Sequence, residues 1–184
     1  MKTIKFLSMA ILAGSFLASC SSDDNSPEEI NEEETITTMT VTLTPDGGGT
    51  AIELKSQDLD GDGPNAPVIT ISGNLAASTT YNGSIELLNE TETPAEDITE
   101  EVAEEDDEHQ FFFVTTGSID TVTYSDEDGD GNPVGIEFSL TTGAAGSATL
   151  AVTLRHEPKK PNNGTLSDAG GETDITQTFS LTVE

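Results

Sequence analysis

The feature that most constrains this fold is an alternation of apolar and polar side chains that returns nine times between Ile36 and the end of the chain. Val41 and Leu43 alternate with threonines, and Ile52 with Leu54, Ile69 with Ile71 and Ile85 with Leu87 repeat the pattern. It resumes at Phe111 and Phe113, Val122 and Tyr124, then Ile136, Phe138 and Leu140. Leu150, Val152 and Leu154 follow, and Phe179, Leu181 and Val183 close the chain. A period of two places one row of side chains on each face of a strand. The segments are rich in Thr, Val, Ile and Phe and are divided by Gly, Asn and Asp, the composition of strands and turns. One wet face per strand predicts an all-β antiparallel β-sandwich, immunoglobulin-like or similar, of about nine strands.

The strands repeat as a block. Asp58-Leu59-Asp60-Gly61-Asp62-Gly63 returns as Asp126-Glu127-Asp128-Gly129-Asp130-Gly131. Pro67-Val68 answers Pro133-Val134, Ala76-Ala77 answers Ala144-Ala145, and Ile85-Glu86-Leu87 answers Val152-Thr153-Leu154. Two four-strand units, residues 37–90 and 108–157, are expected to have arisen by duplication. A closing strand over 174–184 opens with Asp174-Ile175-Thr176, an echo of Asp97-Ile98-Thr99. Four strands bury too little to stand alone, so the two units are expected to share one core.

One segment departs from period two. Residues 90–108 hold eleven acids in nineteen positions. Thr93-Pro94-Ala95-Glu96 reads as a capping box with proline at the first helical position, and Ile98 and Val102 would share a helix face. The alternative is a solvated loop, because adjacent like charges repel.

The N-terminus begins with Lys2 and Lys5, continues as an apolar run from Phe6 to Phe16, and ends in Leu17-Ala18-Ser19-Cys20. A charged start, a short apolar stretch and small residues mark a secretory signal over residues 1–19. Leu-Ala-Ser-Cys resembles the lipobox of bacterial lipoproteins, which implies cleavage before Cys20 and lipidation of its sulfur. The following Ser-Asp-Asp resembles the acidic export signal of Bacteroidota surface lipoproteins. That resemblance implies an outer-membrane protein, held by its lipid and facing outward. Residues 20–35 are polar and acidic and are expected to form a disordered tether, with the folded domain over 36–184.

The charge narrows the partners. The formal net charge is −29, and beyond the signal only Lys55, Arg155, Lys159 and Lys160 oppose 35 acidic residues. Such a field repels nucleic acid and anionic membrane and attracts cations. It also keeps a surface protein in solution.

The second Asp-rich segment, Asp126 to Glu137, fits the calcium-loop pattern D-x-[DN]-x-[DN]-G-x5-E. Asp126, Asp128 and Asp130 would turn carboxylates inward, Asn132 would lend its carbonyl, and Glu137 would close the site. The loop resembles an EF-hand loop, although strands are expected on both sides of it and Pro133 takes the usual aliphatic position. The first copy offers Asp58, Asp60 and Asp62 but ends in Ile69. The structural alternative at both places is a hairpin turn, for which Asp-Gly is a strong signal.

His109 is in phase with Phe111 and Phe113, and His156 with Leu150, Val152 and Leu154, so both extend core-facing rows at strand ends. In an up-and-down meander they would meet the Asp loops at one end, while a Greek-key crossing would separate them. Together with carboxylates they suit a transition metal such as zinc or iron; the alternative is two histidines hydrogen-bonded to acids. Arg155, Lys159 and Lys160 stand beside His156, either to neutralise the acidic end or to dock a partner.

The chain has no nucleophile elbow, no P-loop, no dinucleotide fingerprint and no His-Glu-x-x-His. The sequence therefore points to a non-enzymatic surface protein with a cation-binding end, accessory to uptake through an outer-membrane transporter. The alternative is a structural or adhesive module that calcium makes rigid.

Overall fold

The computed structural model describes residues 34–61 and 63–184. Cys20, the signal segment and Asp62 lie outside them, as does the expected tether except for Glu34 and Thr35. Among the described residues no helix is long and apolar enough to cross a membrane.

All nine expected strands form, and a two-residue strand joins them. The order is β1 (Thr38–Pro45), β2 (Ile52–Gln57), β3 (Val68–Ile71), β4 (Thr80–Asn89), β5 (Glu96–Asp97), α1 (Ile98–Glu104), β6 (His109–Gly117), β7 (Ile119–Tyr124), β8 (Glu137–Thr142), β9 (Gly146–His156), α2 (Leu166–Ala169) and β10 (Glu172–Val183). They make two antiparallel sheets. The larger runs β3-β2-β1-β4-β8-β7, with β5 on the end of β4, and the smaller runs β10-β9-β6. The chain is an all-β sandwich.

The core lies between the sheets and is built from the alternating rows. Met39, Val41, Leu43, Leu54, Leu87 and Leu140 of the larger sheet have no exposed surface, and neither do Phe111, Leu150, Val152, Leu154 and Phe179 of the smaller. Each such side chain contributes roughly 1.5–3 kcal/mol by leaving water. Threonines fill most outward positions of β1, where no second sheet covers them.

The connectivity is not a meander. β1, β2 and β3 follow one another as neighbours, and β4 then returns to pair with β1, giving the order 3-2-1-4 of a Greek key. The first four strands stay in one sheet, whereas the next four divide: β7 and β8 join the larger sheet, and β6 and β9 make most of the smaller. Two pairings nevertheless recur in both halves. First pairs with fourth (β1 with β4, β6 with β9) and second with third (β2 with β3, β7 with β8). Leu88 opposes Asp97, and Leu154 opposes Ile175, one step along the same register in the aligned units.

The acidic segment does form a helix, but it starts later than its capping box suggests. Asp97, not Thr93, caps α1 by accepting the Thr99 backbone N–H, and Ile98 and Val102 are the buried face. The Thr99 hydroxyl holds the first turn against β4 by accepting the Leu87 backbone N–H. Two other expectations meet the limits of the smaller sheet. Ile69 and Ile71 alternate as core-facing residues do, yet every residue of β3 is exposed, because this outer strand of the wide sheet lies beyond the narrow one. Phe112 points away from the core and is buried all the same. Residues 157–171 fold back on this side, where the Asn162 amide donates to Gln110 and Ala169 is also buried.

Close packing at Gly83 joins β4 to β8. The Phe138 ring lies over the glycine, and a Cβ there would sit 2.4 Å from the ring. Gly83→Val should therefore lower stability by about 1–3 kcal/mol in denaturant unfolding, the usual range for an overpacked core. Gly47→Ala, whose Cβ meets nothing within 4 Å, should change it by less than about 0.5 kcal/mol.

Candidate metal centre

The histidines meet because β6 pairs directly with β9. His109 opens β6 and stands opposite His156, the last residue of β9. Their ring centroids are 4.7 Å apart. The Greek-key crossing does not separate them, since it operates within the other sheet.

Three further elements bring acids to this pair. A β-bulge in β10 between Thr173 and Ile175 breaks the alternation at Asp174. The Asp174 carboxylate comes within 3.9 Å of His156 Nδ1. Glu34, just ahead of β1, places Oε1 3.6 Å from His109 Nε2 with only 11% of its side chain exposed. Glu108, one residue before β6, lies 3.9 Å from His156 Nε2. One ligand atom each from His109, His156 and Asp174 falls within 4.8 Å of the others, and the same holds for Glu34, Glu105 and His109. Among the described residues these are the groupings of histidine and carboxylate that tight, and they share His109.

His109 is fully buried and fixed in one tautomer. Its Nδ1 lies 3.2 Å from the backbone carbonyl of Glu105 at the end of α1. A carbonyl only accepts, so Nδ1 carries the hydrogen and joins the Glu108 N–H on the same carbonyl oxygen. Nε2 then holds a bare lone pair. That atom is buried with no hydrogen-bond partner, as is Glu34 Oε2. Burial keeps the His109 pKa below its usual range, and nearby His156 adds to this. A lone pair thus faces a carboxylate, an arrangement that favours a positive charge between them. A proton is one such charge: burial, then Asp174, Glu101 and Glu105, push Glu34 up to about 7. A metal ion is another. Tetrahedral zinc with bonds of about 2.1 Å keeps its ligands roughly 3.4 Å apart, and the 3.6 Å between His109 Nε2 and Glu34 Oε1 is close to that. Imidazole nitrogen with carboxylate oxygen suits zinc or iron, and the Nδ1–H bond to a carbonyl is the usual support for a metal-binding histidine.

The second Asp loop is arranged differently from the expected calcium cradle. Asp126 accepts the backbone N–H of Gly135 at 2.7 Å and of Glu137 at 2.9 Å. The Asn132 carbonyl, expected to face an ion, accepts the N–H of Asp128. Asp128 Oδ1 accepts the N–H groups of Asp130 and Asn132. Its Oδ2 meets Lys160 Nζ at 3.2 Å, in a pair whose side chains are 1% and 7% exposed. Asp130 supplies backbone, and Glu137 is exposed at the start of β8. The segment is a self-bonded turn that borrows a lysine as its cation. Lys160 also donates to the Asp106 carbonyl, so one ammonium ties three loops together. Of the other basic residues nearby, Lys159 makes an exposed pair with Asp168, and Arg155 donates to the Gly171 carbonyl.

In the first Asp loop, Asp58 accepts the N–H of Asp60, and Asp60 accepts the Asn65 amide. Asp62 lies outside the described residues. Asp58 and Asp60 belong to neither grouping around the histidines.

Sequence reasoning found both histidines but missed Asp174 and Glu34. A bulge leaves no mark in a period-two pattern, and Glu34 reads as one more acid of the tether. Comparison of the chain with family models, with curated proteins and with solved structures gave no match.

Lys160→Met leaves the Asp128 carboxylate buried without its counter-charge. It should cost about 3 kcal/mol of stability in denaturant unfolding. Burial pushes the Asp128 pKa up, but the hydrogen bonds from Asn132, Lys160 and Asp130 outweigh it and hold it at about 2. A pKa below the unfolded value gives stability that is present above about pH 4 and lost as pH falls toward 2. Melting temperatures measured across that window should fall less steeply for Asp128→Asn than for the parent.

Proposed function

We propose that this chain is a non-enzymatic, lipid-anchored surface protein that captures one divalent transition-metal ion between His109, His156 and Asp174. The observation that carries this reading is the His109 Nε2 lone pair, fully buried, oriented by the Glu105 carbonyl and aimed at carboxylates with no hydrogen-bond donor to meet it. Burying a polar atom without a partner is costly, and an ion repays that cost. The large negative charge supports the same reading, since it raises the local concentration of cations. Anchoring through Cys20 rests on the lipobox resemblance. An outer-membrane transporter is the partner to which such a protein would hand its ion, and nucleic acid is excluded by charge.

The test is metal-dependent thermal unfolding. A ligand that binds only the folded state raises stability by about 2.7 kcal/mol at a hundredfold excess over its Kd. Zn²⁺ and Fe²⁺ should raise the melting temperature of the parent protein. The rise should vanish in His156→Ala and in Asp174→Asn, which lie at the rim of the site, and in His109→Gln. A parent protein whose melting ignores both ions, or whose response survives all three substitutions, would refute the reading.

A further inference from the structure

The two groupings around His109 differ in origin. His156 and Asp174 come from β9 and β10 of the smaller sheet. Glu34 comes from the stretch that leads into β1 of the larger one. It is the first described residue, yet only 11% of its side chain is exposed, and it ends 3.6 Å from His109 Nε2.

We propose that Glu34 is a ligand to the captured ion, and that filling the site therefore fastens the start of the folded domain to β6. The inference rests on the metal reading above and adds to it the residue that closes the coordination. Three observations point the same way. Glu34 Oε1 is the carboxylate oxygen that lies at tetrahedral-edge spacing from the bare His109 nitrogen. Its second oxygen is buried without a hydrogen-bond donor. Glu105, the other acid close to both, is exposed, so its carboxylate remains hydrated in water and gains less from an ion. The two groupings share His109, and an ion that drew Glu34 and the His156–Asp174 pair together around it would have two nitrogens and two carboxylates, the number of donors a closed zinc site takes.

The consequence is mechanical. Immediately after Glu34, the Thr37 backbone N–H donates to the Leu88 carbonyl, and its hydroxyl accepts from the Glu90 N–H. An ion that holds Glu34 to His109 clamps the path between these bonds and the smaller sheet. Loading then restrains the start of the described domain. Empty and loaded protein would differ there, where a partner at the membrane would meet it.

The experiment measures Zn²⁺ affinity and backbone hydrogen exchange on the full chain. Glu34→Gln keeps the size and shape of the side chain but removes the charge. It should weaken Zn²⁺ binding roughly tenfold or more, in the range seen when supporting groups of metal sites are lost. Glu105→Gln should weaken it by less than about threefold, an exposed carboxylate being worth little. In the parent protein Zn²⁺ should slow amide exchange over residues 34–38, and in Glu34→Gln it should not. If Glu34→Gln binds Zn²⁺ as the parent does while His156→Ala does not, the metal reading stands and this inference falls. A larger loss in Glu105→Gln than in Glu34→Gln also overturns it. If the parent itself fails to bind Zn²⁺, both readings fall together.

Discussion

The register between β6 and β9 is the constraint on which the rest of the acidic end depends. In an antiparallel pair the residues directly opposite are fixed once one pairing is fixed, and a slip of a single residue would turn every side chain to the other face. Here Phe111 against Leu154 inside the core, and Phe113 against Val152 at its edge, lock the pairing. His109 and His156 are simply the next residues in the same two rows, so burial of the aromatic and aliphatic pairs also delivers the two imidazoles to one place. The histidines do not have to find each other.

The same end shows two ways of handling negative charge. In the second Asp loop the protein supplies its own cation, as Lys160 reaches from the 157–171 excursion into a turn that is otherwise closed by backbone N–H groups. Calcium bound there would have to displace a covalently attached ammonium whose effective concentration is fixed by the fold. At the histidines a bare nitrogen faces a carboxylate. A chain with so few basic residues has committed one of them to the loop. This division is the physical reason for proposing the ion at the histidines rather than among the aspartates, although the aspartates are the stronger motif in sequence.

Much of the architecture was legible because strand alternation is a local property. Val41, Leu87, Leu150 and Phe179 each carry their direction in their immediate neighbours. The internal repeat was legible too, and its trace persists in the pairing of first with fourth and second with third strands. What alternation cannot carry is width. Ile69 and Ile71 alternate as core residues do, but the opposing sheet has three strands and stops short of them. Phe112 faces outward by phase and is buried all the same, on the side where Asn162 of the distant 157–171 segment bonds to Gln110. Asp97 displaced Thr93 as the helix cap because β5 must first pair with β4, and α1 can begin only after that ladder ends.

By itself the sequence determined the strands, the sidedness of most of their rows and the large excess of acid. These follow from periods and charges that neighbouring residues set among themselves. The tertiary structure alone decided which strands share a sheet, that a bulge would bring Asp174 to His156, that Glu34 would pack against His109, and that Lys160 would pair with Asp128 in the second Asp loop. Each of these depends on contacts between residues far apart in the chain, whose closeness is set by how two sheets of unequal width pack together, and no local pattern records that.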